Sequence, residues 1–316
     1  VDEGKCGFAV IENSLWQAVP ELLRGLDGAQ TRQIGHRLPI TASPVRFVSW
    51  MGGDRDGNPN VTAKVSAEVF LLARWKAADL YLKDVRMLIQ ELSMTAATAE
   101  VMELADNSRE PYRAVLHQLE LRLQHTMVTL LDRINGRPDS HHDIVESMAD
   151  IWDPVYACYV SLQTMGMGLI ADGNLLNMLR RLRCFGSHLV RLDIRQESAR
   201  HTEVLSELTR YLELGDYADW DEMQRQAFLL SELAGKRPLL PRFWEPSAAV
   251  REVLDTCEVI AAQPREALGA YVISMARQPS DVLVVKLLLR ECGCRFNMPV
   301  APLFETLDDL NNAGST

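Results

Sequence analysis

The segment Trp50-Met51-Gly52-Gly53-Asp54-Arg55-Asp56-Gly57-Asn58-Pro59-Asn60 packs three glycines, a proline and three charges into eleven positions directly after an apolar run. Glycines let backbone N–H groups come up to an anion, and a fixed guanidinium would add charge there. The same residues also suit a tight turn in which Arg55 pairs with Asp54 or Asp56. Asp54, Asp56 and Asn58 alternate as in an EF-hand calcium loop, yet Pro59 stands at the glycine position and Val65 at the bidentate-glutamate position. That reading fails.

A second candidate is Arg191-Leu192-Asp193-Ile194-Arg195-Gln196-Glu197-Ser198. In a strand, Arg191, Asp193 and Arg195 share one face while Leu192 and Ile194 take the other. If helices cover the apolar face, the charged face looks into a barrel, with Arg195 at the strand's C-terminal end. There a planar guanidinium can grip a phosphate bidentately. The alternative is a structural ion-pair ladder with Asp193 between two arginines. The third candidate is Glu305, just past the apolar run that ends at Leu303. A carboxylate on that rim suits a hard divalent cation, or it caps the helix that follows. One carboxylate does not hold Mg²⁺ unaided, and Asp308 and Asp309, about a turn into that helix, are expected to point elsewhere.

Apolar spacing predicts the elements that position these groups. A long amphipathic helix is expected from Thr62, its N-cap, to about Leu92, and a second from Pro111 to about Ile134. Further helices are expected over 142–165 and 174–183. Short β-rich runs at 45–50, 189–194, 271–275 and 296–303 alternate with helices over 198–262 and 280–292, the pattern of parallel strands with crossovers. The fold expected is mainly α with parallel strands, part of a helix-decorated barrel. It reads as one incomplete domain over 1–316, helical to 184 apart from one strand and the glycine loop, and alternating from 185.

Acids outnumber bases by 43 to 33, for a net charge of -10, so nucleic acid and anionic membranes are poor partners. No apolar run reaches the length of a membrane helix and no secretory leader is visible, so a cytoplasmic location is expected. Six scattered cysteines suggest free thiols, and Cys292-Gly293-Cys294 lacks the spacing of a zinc site. His141 and His142 follow a turn signal and are expected at the surface. Val1 is not methionine, and 304–312 opens a helix that is not completed. Both features suggest an internal segment.

Ser49 to Pro59, Leu192-Asp193-Ile194-Arg195-Gln196-Glu197-Ser198 and Ala301-Pro302-Leu303-Phe304-Glu305-Thr306, in this order with helices between, resemble the bacterial phosphoenolpyruvate carboxylases over essentially the whole chain. The resemblance implies a (β/α)₈ TIM barrel in an allosteric, cytoplasmic homotetramer. It implies the joining of bicarbonate to phosphoenolpyruvate, giving oxaloacetate and phosphate, with Mg²⁺ or Mn²⁺. Arg195 would bind phosphoenolpyruvate, Glu305 would be one of two metal carboxylates, and Trp50 and Leu303 would line an apolar pocket for CO₂. The loop Gly52, Gly53, Asp54, Arg55, Asp56 and Gly57 would border the active site. The family's catalytic histidine, second metal carboxylate, lysine and mobile loop have no counterpart in these residues, so the segment alone is expected to be inactive. Ser187-His188 departs from the expected pattern at one turn.

Overall fold

Residues 2–47 and 70–190 form a helical unit, while 48–69 and 191–314 form a second unit built on a sheet; the computed structural model describes residues 2–314. The helical unit contains α1 (Asp2–Val10), α2 (Trp16–Ile34), most of α3 (Ala63–Glu91), α4 (Ala99–Leu104), α5 (Pro111–Ile134), α6 (Ala149–Thr164), α7 (Gly168–Ile170) and α8 (Leu176–Phe185). α5 spans its expected bounds, opening on Pro111, whose missing N–H has no helical partner to lose there. Its Leu116, Leu119, Leu123 and Leu130 are buried along one stripe.

The helix expected from His142 starts only at Ala149. Residues 142–148 are drawn onto α5 instead. Val145 N donates to Thr126 Oγ1 at 2.8 Å and Arg122 Nη2 donates to Ile144 O at 3.0 Å. Asp150 then caps the helix from inside, accepting from Ser147 N at 2.8 Å. His142 is exposed, whereas His141 is half-buried and stacks on His125 with ring centroids 4.0 Å apart. Where α2, α3 and α8 meet, Arg181 Nη1 reaches both Asp84 oxygens at 2.9 Å, and Arg181 Nε donates to Trp16 O at 2.7 Å.

The second unit carries β1 (Val48–Ser49), β2 (Arg191–Glu197), α9 (Ser198–Tyr211), α10 (Glu222–Ala234), α11 (Ala248–Ala261), β3 (Leu268–Ser274), α12 (Pro279–Glu291), β4 (Val300–Pro302) and α13 (Leu307–Asn312). All strand pairs are parallel and lie in chain order β1-β2-β3-β4, with Ser49 beside Leu192, Arg195 beside Val272 and Val272 beside Ala301. Parallel neighbours need crossovers, which α9 to α11 and α12 supply. Along β2 burial alternates as expected: Leu192, Ile194 and Gln196 are buried while Arg191, Asp193 and Arg195 are half-buried. The apolar side of β2 and β3 joins Val204, Leu205 and Leu208 of α9 and Val284 and Leu288 of α12 in the core. α3 starts where expected, because Thr62 Oγ1 accepts from Val65 N at 3.3 Å and Glu252 of α11 accepts from Ala63 N at 2.5 Å. Among the described residues, no helix is long and apolar enough to cross a membrane.

Candidate active site

Arg195 lies near the carboxyl end of β2, and the glycine loop that follows β1 lies alongside it. The loop first folds on itself, with Gly53 N and Asp54 N both donating to Trp50 O at 2.9 and 3.0 Å. Gly52 and Gly57 take left-handed φ angles of 84° and 66°, conformations open to glycine at little steric cost. The chain then pairs with β2 through two reciprocal bonds: Arg195 N donates to Gly53 O at 2.9 Å, and Arg55 N donates to Arg195 O at 3.0 Å. Gly53 permits this approach, since a Cβ there would lie 2.0 Å from the Asp193 carbonyl oxygen.

Side chains complete the grip. Arg195 Nη2 donates to Asp56 Oδ2 at 2.6 Å and to Glu305 Oε1 at 2.9 Å, while Asp54 Oδ1 lies 3.7 Å from Nε. Asp54 Oδ1 also accepts from Asp56 N at 3.0 Å, which fixes the turn that presents Asp56. One arginine and three carboxylates therefore meet at the ends of β1, β2 and β4, the edge at which parallel α/β proteins gather their functional groups.

Arg55 does not face this cluster. Its side chain is only 8% exposed, with Nη1 donating to Gly53 O at 3.0 Å and Nη2 to Ser66 Oγ at 2.8 Å. Ser66 Oγ in turn donates to Gly52 O at 2.6 Å. The guanidinium is thus a post beneath the loop, and burial lowers its pKa from the ordinary arginine value. Asp193 also departs from the ladder considered above: its Oδ1 accepts from Ala270 N of β3 at 2.7 Å, where a Cβ on Gly269 would intrude to 2.0 Å. Burial raises its pKa, and the Ala270 N–H offsets part of that rise.

Trp50 is 67% exposed beside β1, and Leu303 is half-buried beside β4, its N–H donating to Ile273 O at 2.9 Å. Each follows directly on one of the two outer strands, with β2 and β3 between those strands. The side chains of Asp308 and Asp309 lie outside the described residues. Beneath the sheet, His201 Nε2 and Tyr271 Oη are 2.8 Å apart, and burial pushes the imidazole down to about 3. Sequence reasoning missed Ser66 as the loop's anchor. Its one signal was its place in the first turn of a helix.

A parallel α/β sheet with crossover helices and its charged groups gathered at the strand ends has the layout of an enzyme of that class. The chain belongs to the phosphoenolpyruvate carboxylase family, whose profile matches residues 1–316. It is 60% identical to the phosphoenolpyruvate carboxylase of Pectobacterium atrosepticum over 316 residues, which cover 99% of this chain and 36% of that protein. The Vibrio parahaemolyticus enzyme is 61% identical over 100% of this chain and 36% of its own length, and an Escherichia coli enzyme is 58% identical over 99% and 36%. The chain therefore corresponds to a segment of about a third of the curated relatives it matches.

Proposed function

We propose that these residues supply part of the substrate and metal site of a phosphoenolpyruvate carboxylase, the enzyme that makes oxaloacetate and phosphate from phosphoenolpyruvate and bicarbonate. The observation that carries this reading is the convergence of Arg195, on β2, with Glu305, just past β4, in a member of that family. Arg195 binds the phosphate of phosphoenolpyruvate. Bicarbonate attacks that phosphate to give carboxyphosphate and the enolate; carboxyphosphate releases CO₂, and the enolate carbon captures it. A guanidinium neutralises phosphate charge throughout, and Trp50 and Leu303 contribute apolar surface that keeps water from CO₂ and enolate. The Gly52 to Gly57 loop, with Asp54 and Asp56 half-buried and Gly57 exposed, borders the site.

Glu305 is a hard oxygen donor suited to Mg²⁺ or Mn²⁺, and a divalent cation there would stabilise enolate charge. Among the described residues, no three His, Cys, Asp or Glu groups are placed to hold a metal ion. In this reading Glu305 would supply one ligand to such an ion. The unbroken order β1-β2-β3-β4 supports an arc of a (β/α)₈ barrel, because a doubly wound sheet reverses its strand order. One catalytic domain, a cytoplasmic homotetramer and allosteric control belong to the same reading.

The test is Arg195→Ala in the full-length carboxylase carrying this segment. The expected result is a rise in KM for phosphoenolpyruvate of at least about tenfold together with a fall in kcat, since a charged hydrogen-bond donor to the phosphate is gone. Unchanged kcat/KM would remove Arg195 from the site.

A further inference from the structure

The two carboxylates that bond Arg195 share one nitrogen, Nη2, at 2.6 Å for Asp56 and 2.9 Å for Glu305. Nε lies on the same edge of the planar guanidinium, yet it is buried without a hydrogen-bond partner among the described residues. That edge is the side-on fork that matches two oxygens of a phosphate or carboxylate, and here its Nε end is met only by Asp54 Oδ1 at 3.7 Å, too far for a hydrogen bond. An incoming two-oxygen ligand would gain a bond that neither carboxylate now makes.

The two acceptors are held very differently. Asp56 sits on the loop whose backbone is bonded to Arg195 on both sides, and Asp54 Oδ1 fixes its own N–H. Arg55, locked between Gly53 O and Ser66 Oγ, braces that loop from below. Glu305 is exposed and sits on the irregular stretch between β4 and α13. One carboxylate is built into the same frame as Arg195, while the other stands on irregular chain outside that frame.

We propose that Asp56 is the positioning residue for Arg195. It keeps one Nη2 hydrogen while Glu305 moves away, so that Nε and the second Nη2 hydrogen are presented together to two oxygens of a phosphoryl group. This rests on the reading of Arg195 as the phosphate ligand.

The experiment uses the full-length carboxylase carrying this segment, at saturating bicarbonate and Mg²⁺. Asp56→Asn should raise KM for phosphoenolpyruvate about tenfold while kcat stays within about threefold, because orientation is lost and the guanidinium is kept. Asp56→Glu should recover part of the loss. On an Arg195→Lys background, Asp56→Asn should change KM less than about twofold, since the two act as a unit. Mn²⁺ binding, followed by electron paramagnetic resonance, and the thermal midpoint should stay at wild-type values. If Asp56→Asn does not fold, Asp56→Ser is judged by the same split. An unchanged KM in Asp56→Asn, or full additivity with Arg195→Lys, overturns the positioning role. If Arg195→Lys itself leaves KM unchanged, the phosphate reading falls and takes this inference with it.

Discussion

Glu305 accepts from Arg195 Nη2 at 2.9 Å, and under the proposed metal role its removal would take a donor from the cation and a restraint from the arginine at once. In the full-length enzyme, Glu305→Ala is expected to weaken Mn²⁺ binding at least about tenfold, the scale of losing one charged ligand among several. A titration followed by electron paramagnetic resonance checks this, and an unchanged Mn²⁺ affinity would take Glu305 out of the metal site. At this scale the sequence was informative wherever period alone decides. Strand alternation placed Arg195 on the charged face, which is where it lies. It could not tell which of the loop's three charges turns inward. Arg55 is buried because Gly53 O and Ser66 Oγ accept its donors, and Ser66 is eleven positions away in another element. Nor could it show Asp193 bonded to Ala270 N, a partnership that spans 77 residues.

Among the elements, α2, α3 and α8 depend on one buried ion pair. Arg181 and Asp84 have side chains only 3% and 7% exposed. Arg181→Met leaves Asp84 buried without its cation and is expected to cost about 3–5 kcal/mol, whereas pairing it with Asp84→Leu should recover much of the loss. Urea unfolding of the single and double variants decides this, and equal losses for both would rule it out. The elements read best from sequence were those with a long uninterrupted stripe, α3 and α5, and those with local caps. Elements shaped by distant partners were read badly. The late start of α6 follows from bonds to Thr126 and Arg122 on α5. α2 went unread because Pro20, Gly25 and Gly28 interrupt its pattern, yet it runs from Trp16 to Ile34 behind a π-turn over Ile11–Leu15. A wider turn just ahead of a proline helps a helix absorb the missing N–H.

Across the whole molecule, each unit buries one neutral histidine: His188 in the helical unit, pushed down to about 4, and His201 in the sheet unit, pushed down to about 3, both chiefly by burial. The ordinary value of 6.5 applies once the chain unfolds, so the unfolded state takes up these protons first as pH falls. Stability is therefore unaffected by these groups well above pH 6.5 and declines below it, by up to about 1.4 kcal/mol per pH unit for each histidine. Comparing urea midpoints at neutral and mildly acid pH should show this slope, and His201→Gln should flatten the part that belongs to the sheet unit. A slope unchanged by the substitution would contradict the assignment. The reciprocal bonds between the glycine loop and Arg195 have a consequence for observation in the intact enzyme. Arg55 N and Arg195 N are each released only when the same short ladder opens. Their amide protons should then exchange with deuterium at one common rate, so the pair forms a built-in clock for how often the loop lifts from the strand, readable with or without ligand.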